Sequence, residues 1–162
     1  MTKSVLPADF GEFYKQHYRS VYRVCYTWMR NPADAEDCTE DTFVRMIDAS
    51  PDFQSDDHAR AWLTVTAMNL CKDRLKHWWH KKVVPMEAYS ETLVQDPPEP
   101  DLTLDAVRSL SQKYREVIYL YYYEGYQTDE IAGLLKRPSS TVRNQLRDAR
   151  KKLKKLLGDD FL

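Results

Sequence analysis

The stretch TDEIAGLLKRPSSTVRNQLRDARKKLKKLL, residues 128–157, decides how the rest of the chain is read. Thr128 and the acids Asp129 and Glu130 open a helix of about eight residues, and Lys136-Arg137-Pro138 breaks it. Ser139-Ser140-Thr141 then caps a longer basic helix that runs to about Leu157. A short helix, a tight turn and a longer helix rich in Arg, Asn and Gln have the layout of a helix-turn-helix. Packing of Ile131, Leu134 and Leu135 against Val142, Leu146 and Ala149 leaves Arg143, Asn144 and Arg147 on the opposite face, with Lys151 one turn further on. Guanidinium and amide groups in a row suit base edges and phosphates of a major groove. The backbone amides of Ser139, Ser140 and Thr141, at a helix N-terminus, suit a phosphate. The bland alternative is a solvated basic helix in an αα-hairpin.

Working outward, Leu104–Leu110 and Lys113–Glu124 also read as helical, with Val117, Leu120 and Tyr121 as the inward stripe and Gly125 as the stop. Residues 83–103 hold Pro85, Pro97, Pro98 and Pro100 among Glu91, Gln95, Asp96 and Glu99, the composition of an extended acidic linker. Before it, Phe10, Phe13, Tyr14, His17, Tyr18, Val21, Cys25 and Trp28 recur at steps of three and four within a first helix, Asp9–Met29. Asn31-Pro32 starts a second helix to about Ala49, with Ala35, Cys38, Thr42, Phe43, Met46 and Ile47 facing inward and Asp34, Asp37, Glu40 and Asp41 mainly outward. A turn-rich loop, residues 50–57, leads to a third helix, about His58 to Lys82, in which Trp62, Thr66, Asn69 and Asp73 share a face. The expectation is an all-α protein: residues 1–82 and 104–162 as two small helical domains, joined by the proline-rich acidic linker 83–103.

The formal net charge of -1 over 162 residues hides strong segregation. From residue 33 to 57 nine acids face one base, Arg45, whereas from 136 to 155 nine bases face one acid, Asp148. One segment repels polyanions and the other can neutralise phosphates. Lys72, Arg74, Lys76, Lys81 and Lys82 form a third, basic cluster interleaved with Trp78 and Trp79. No apolar run approaches the roughly 20 residues that span a bilayer, and the N-terminus lacks a signal-peptide core, so no membrane insertion and a cytoplasmic location are expected. Cys25, Cys38 and Cys71 are odd in number and lack CxxC spacing, which makes them small apolar core residues in this reading. His77 and His80, i,i+3 at a basic helix end, are not read as metal ligands. With no glycine-rich phosphate loop, nucleophile elbow or paired carboxylates in the sequence, no enzyme, metal, cofactor or small-molecule substrate is expected.

Several of these segments together resemble one family. Tyr114-Arg115-Glu116-Val117-Ile118-Tyr119-Leu120, Tyr123-Glu124-Gly125, Glu130-Ile131-Ala132 and Thr141-Val142-Arg143 are similar to the C-terminal domain of extracytoplasmic-function sigma factors, promoter-specificity subunits of bacterial RNA polymerase. Asp34-Ala35-Glu36-Asp37, Glu40-Asp41-Thr42-Phe43, Arg60-Ala61-Trp62-Leu63, Asn69 and Asp73-Arg74-Leu75 resemble the N-terminal domain of that family. The resemblance implies that Asp34, Asp37, Glu40, Asp41 and Thr42 dock on the coiled-coil clamp of core RNA polymerase, acids against bases. It implies that the loop Phe53, Gln54, Ser55 and Asp56, with Trp62, Asn69 and Asp73, takes a base flipped from the start-proximal promoter element, while Lys72, Arg74 and Lys76 hold nearby phosphates. Ser139, Ser140, Thr141, Arg143, Asn144, Arg147 and Lys151 would bind the upstream promoter DNA, and an anti-sigma factor is implied as a further partner.

The chain departs from the family pattern in places. Tyr121 stands where an arginine is frequent, Asp148 where a base is common, and Gln127 where a serine caps, with Thr128 and Ser139 expected to supply the caps. The rival to a sigma-like subunit is a stand-alone helix-turn-helix regulator whose N-terminal helices dimerise or sense a ligand. A protein-only adaptor is a third reading.

Overall fold

The computed structural model describes residues 9–80 and 102–158. All regular structure among them is helical, and no described helix is long and apolar enough to cross a membrane. The chain divides into two compact units between Pro97 and Pro98. Apart from Leu102 and Thr103, which open a helix, the stretch read as a linker lies outside the described residues, as do Lys81 and Lys82.

The first unit packs three helices: α1, Phe10–Met29; α2, Pro32–Ala49; and α3, Asp56–His80. Val21, Val24, Cys25 and Trp28 of α1, Ala35, Cys38, Phe43 and Met46 of α2, and Leu63, Ala67, Met68, Leu70 and Cys71 of α3 are buried together. Each fully buried aliphatic side chain contributes about 1.5–3 kcal/mol through removal from water, so this core carries the unit. Arg30 ends α1 in the left-handed region (φ 71°), its N–H donating to Tyr26 O, and the chain turns straight into α2. There Asn31 caps as expected: Asp34 N–H donates to Asn31 Oδ1 at 2.9 Å, and Pro32 fills the first helical position.

The inward stripe of α2 differs from the expected one at two places. Ile47 is 36% exposed, and Asp34, expected outside, is 8% exposed. Asp34 turns in because Asn31 Nδ2 donates to its Oδ2 at 2.6 Å, closing a reciprocal pair at the helix start. Thr39 and Thr42 are buried because their hydroxyls donate to the carbonyls of Ala35 (2.6 Å) and Cys38 (2.8 Å), which removes the cost of burying them. Thr42 lies on the buried face as expected, and Thr39 joins it while Ile47 is left out.

The second unit contains α4, Leu102–Ser109; α5, Gln112–Ile118; a π-helical turn, Tyr119–Tyr123; α6, Thr128–Leu135; and α7, Ser139–Leu157. The π turn explains the blurred tyrosine period: Glu124 N–H donates to Tyr119 O (3.2 Å), five residues back. Glu116, Val117 and Ile118 of α5 and Tyr119 and Leu120 are buried, and the extra residue of the π turn rotates the face beyond them, so Tyr121, expected inside, is half-exposed. Gly125 then ends the segment at φ 78°, a conformation that strains residues with a Cβ.

Two caps also differ. Gln127, not Thr128, is the N-cap of α6, its N–H donating to Glu130 Oε1 at 2.9 Å. Pro138, not Ser139, is the N-cap of α7, and no side chain there makes a capping hydrogen bond. The first amides of α7 are left to water or a ligand.

Candidate functional site

In the second unit, α7 buries Val142, Leu146, Ala149 and Leu153 at helical spacing, and Ile131 and Ala132 of α6 lie buried in the same unit. Arg143, Asn144, Arg147 and Lys151 are all exposed, together with Ser140, while Ser139 and Thr141 are half-buried. Arg147 reaches the neighbouring Asp148 only at 3.4 Å and keeps its side chain 60% exposed. Arg143, Asn144, Arg147 and Lys151 therefore lie on one accessible face, with the uncapped N-terminus of α7, where Ser140 is exposed and Ser139 and Thr141 are half-buried, at its head. Next to this row, the Arg150 guanidinium lies 5.2 Å from the Tyr121 ring centre, and its Nε donates to Tyr122 Oη at 2.8 Å. A cation thus comes from α7 to the place where the sequence has Tyr121.

The turn between α6 and α7 is fixed by a residue that sequence reading counted among the phosphate-seeking bases. Arg137 pairs with the carboxylate of Glu116 and donates to Gln145 Oε1 at 2.9 Å. A buried carboxylate needs a cation or several donors. Glu116 stands at the edge of the apolar run Val117–Leu120, directly after Arg115, so nothing in the spacing marked it as the buried partner of Arg137.

In the first unit the loop before α3 forms an aromatic cluster. Phe53 stacks on Phe13 (6.0 Å between ring centres, 7° between planes) and meets Trp62 (5.9 Å) and His58 (5.4 Å) edge to face. Gln54 N–H donates to His58 Nδ1 and His58 N–H to Ser55 Oγ, both at 3.0 Å, so the loop is tied down to the first turn of α3. Asp56, expected in the loop, is the first residue of α3, where its charge favours the helix dipole. Trp62 and Thr66 are half-buried and Asn69 and Asp73 exposed, along one accessible face; Lys72 is half-buried and Lys76 exposed. Phe13 of α1, brought in from beyond α2, and His58, in the first turn of α3, also belong to this cluster and follow from the packing, not from the spacing. Beneath it lies His17, buried, its imidazole held below its usual pKa mainly by burial; Asp56 opposes this and Arg60 adds to it.

The acidic face of α2 is not isolated from α3. Arg74 forms ion pairs with both Asp37 and Asp41. Arg74, expected on phosphates, thus shares a site with two acids expected on the polymerase. These side chains, with Arg45, Asp73 and His77, line a cleft of about 550 Å³. Asp37 and Glu40 are exposed and Asp41 is half-exposed, but Thr42 is buried and Asp34 nearly so. Val44, 51% exposed, and Ile47 lie on the outer face of α2 beside these acids. Two apolar side chains thus stand exposed beside the acids on one face of α2.

The model of the family Sigma-70 region 2 matches residues 13–80, and that of Sigma-70, region 4, matches residues 101–153. The chain is 30% identical over 155 residues to the ECF RNA polymerase sigma factor SigL of Mycobacterium tuberculosis, covering 90% of this chain and 87% of SigL. It is 30% identical to the ECF RNA polymerase sigma factor BldN of Streptomyces coelicolor, over 93% of this chain but 61% of BldN, and 27% identical to SigW of Bacillus subtilis, over 94% and 89%. The chain therefore spans about three fifths of the length of BldN. Among solved structures, the fold is shared with the sigma factor RpoE of Bartonella quintana in complex with the anti-sigma factor NepR (TM-score 0.71, 20% identity, 95% of this chain and 99% of that one). It is also similar to CnrH in complex with the cytosolic domain of CnrY (TM-score 0.65, 25% identity, 93% and 88%).

Proposed function

Because the chain belongs to the extracytoplasmic-function class of sigma-70 RNA polymerase sigma factors, we propose that it is a promoter-specificity subunit that joins core RNA polymerase and directs initiation at a set of promoters. The observation that carries this reading is the exposed row Arg143, Asn144, Arg147 and Lys151, backed by the buried row Val142, Leu146 and Ala149 and borne on the same chain as the acidic, partly apolar outer face of α2. One surface suits phosphates and bases, the other a basic protein. The proposed domains are residues 1–82 for polymerase binding and the start-proximal element and 104–162 for the upstream element.

On α2, Asp37, Glu40 and Asp41 supply charge to the polymerase contact, and Val44 and Ile47 supply apolar area. Asp34 and Thr42 serve this surface from inside, through the cap at Asn31 and the bond to Cys38 O. At the start-proximal element, the proposed pocket consists of Phe53, Gln54, Ser55 and Asp56 with Trp62, Asn69 and Asp73, and Lys72 and Lys76 hold the displaced strand. Stacking of one base on an aromatic ring contributes about 1–3 kcal/mol, comparable to the roughly 1.4 kcal/mol lost per unstacked step, so capture of an extruded base offsets part of the cost of opening. Arg74 is assigned to bracing α2 against α3 through Asp37 and Asp41. At the upstream element, a bidentate Arg143 or Arg147 to a guanine is worth about 1–3 kcal/mol of discrimination. The reading involves no reaction chemistry of the chain itself and places it in the cytoplasm, with polymerase and chromosome. An anti-sigma factor is proposed as the inhibitory partner, in line with the complexes formed by RpoE and CnrH.

The decisive experiment is run-off transcription from a promoter library with purified core polymerase. Specific transcripts are expected only when core and chain are both present. A palindromic duplex footprint from the chain alone, with no effect on core, would instead establish a stand-alone regulator.

A further inference from the structure

Arg150 differs from three other arginines of the second unit in what holds it. Arg108 and Arg147 each reach an aspartate, and Arg137 pairs with the buried Glu116. Arg150 reaches no carboxylate among the described residues and is held instead by two tyrosines of the π turn. The rings of Tyr121 and Tyr122 meet edge to face, with 4.9 Å between centres and 78° between planes, and so form a corner. The Arg150 guanidinium lies over both rings, 5.2 Å from the centre of Tyr121 and 5.7 Å from that of Tyr122, and its Nε donates to Tyr122 Oη at 2.8 Å. Ring faces attract a cation without neutralising it. Nε is thus spent on a tyrosine, while the N–H groups of Nη1 and Nη2 remain for a ligand.

The corner owes its place to the π turn, whose extra residue leaves Tyr121 half-exposed and Tyr122 41% exposed. Insertions of this kind in a helix recur at functional sites. On α7, Arg143, Arg147 and Arg150 follow at steps of four and three, so they share one face. From residue 143 to residue 150 the helix rises about 10 Å, against a major groove about 12 Å wide. With Arg143 and Arg147 at the bases, Arg150 arrives at the edge of the groove, where the backbone of one strand passes. Half-buried in its corner, it also stands back from the exposed Arg143 and Arg147, which suits the rim and not the groove floor. A planar fork fixed in advance matches a phosphodiester bidentately and loses less freedom on binding than a loose side chain.

We propose that Tyr121, Tyr122 and Arg150 form a phosphate clamp that holds the DNA backbone at the groove edge. This clamp presupposes the promoter-binding function proposed above and adds to it a contact that reads no base. Arg150 touches the phosphate; Tyr121 and Tyr122 are positioning residues that aim its fork.

The test joins the wild-type chain, Arg150→Gln and Arg150→Lys each to core polymerase and measures affinity for a promoter recovered from the run-off library across a salt series. One phosphate contact contributes about 0.9 to the slope of log affinity against log salt, so a fourfold rise in salt should cost wild type about 3.5 times more affinity than Arg150→Gln. Arg150→Lys, which keeps the charge, should retain most of the slope. The loss in Arg150→Gln should be equal on promoters altered at single upstream base pairs. With duplexes carrying one neutral methylphosphonate at a time, wild type should lose affinity at a groove-edge position to which Arg150→Gln is indifferent. Weaker binding with an unchanged slope would make Arg150 a mere brace of α7 and overturn the clamp. A loss confined to one base pair, or the same methylphosphonate pattern in both proteins, would overturn it too. Tyr122→Phe removes only the hydroxyl that Nε binds and gives a second reading should Arg150→Gln unfold. The methylphosphonate at the groove edge should cost this variant about twofold less than it costs wild type, and an equal cost would count against the clamp. If the wild-type chain with core binds no promoter at all, the proposed function fails, and the clamp with it.

Discussion

Arg137, in the turn of the helix-turn-helix, gives its guanidinium to the carboxylate of Glu116, a residue of α5 that is only 1% exposed. Since Arg137 also donates to Gln145 of α7, one side chain ties three segments of the second unit together. The angle at which α7 is presented therefore depends on an ion pair behind it.

Removal of Arg137 leaves the Glu116 carboxylate buried without that cation, whereas removal of Glu116 leaves Arg137 23% exposed and within reach of water. Arg137→Met is expected to destabilise the second unit by about 3 kcal/mol and Glu116→Leu by less, with the double variant costing less than the sum. Urea unfolding of all three proteins checks this; strict additivity would show that the pair is not coupled.

On α7, Arg143→Ala and Arg147→Ala are expected to weaken promoter DNA binding by about 1–3 kcal/mol where the residue reads a base, or to lower the salt slope of binding by about 0.9 where it holds one phosphate. Both side chains are exposed, so thermal stability should stay within about 0.5 kcal/mol. Fluorescence anisotropy of the polymerase–promoter complex across a salt series separates the two roles, and affinity for core alone should not move.

On α2 the expectation is the reverse. Val44→Ala combined with Ile47→Ala, or Glu40→Lys, should reduce affinity for core polymerase at least tenfold without loss of stability, since all three side chains are exposed. Biolayer measurements with immobilised core provide the readout. Asp37→Lys is a poorer probe, because it also frees Arg74 from one of its two acids.

His17 gives the first unit a pH dependence of defined sign. Burial lowers its pKa in the folded state, so the unfolded chain takes up the proton first. The contribution of His17 is complete above about pH 6.5, the ordinary value, and is lost as pH falls below it. His17→Phe should flatten the slope of unfolding free energy between pH 7.5 and 5.5; a slope unchanged from wild type would exclude His17 as its source.

The sequence by itself determined the helices, their order and the free face of α7. Those features follow from local rules: apolar side chains at steps of three and four fix a buried stripe, Asn31-Pro32 starts a helix, and whatever lies opposite Val142, Leu146 and Ala149 must meet solvent. Tertiary structure alone decided which acid each arginine holds, that Arg137 reaches the buried Glu116 while Arg74 bridges the exposed Asp37 and the half-exposed Asp41, that Thr39 and not Ile47 is buried on α2, and that a π turn leaves Tyr121 half-exposed. An arginine carries its charge on a long stem and can reach acids a turn away, a helix away or on DNA, and periodicity is silent on the choice. Only when the helices pack do desolvation and the distances between charges, both through-space quantities, select one partner.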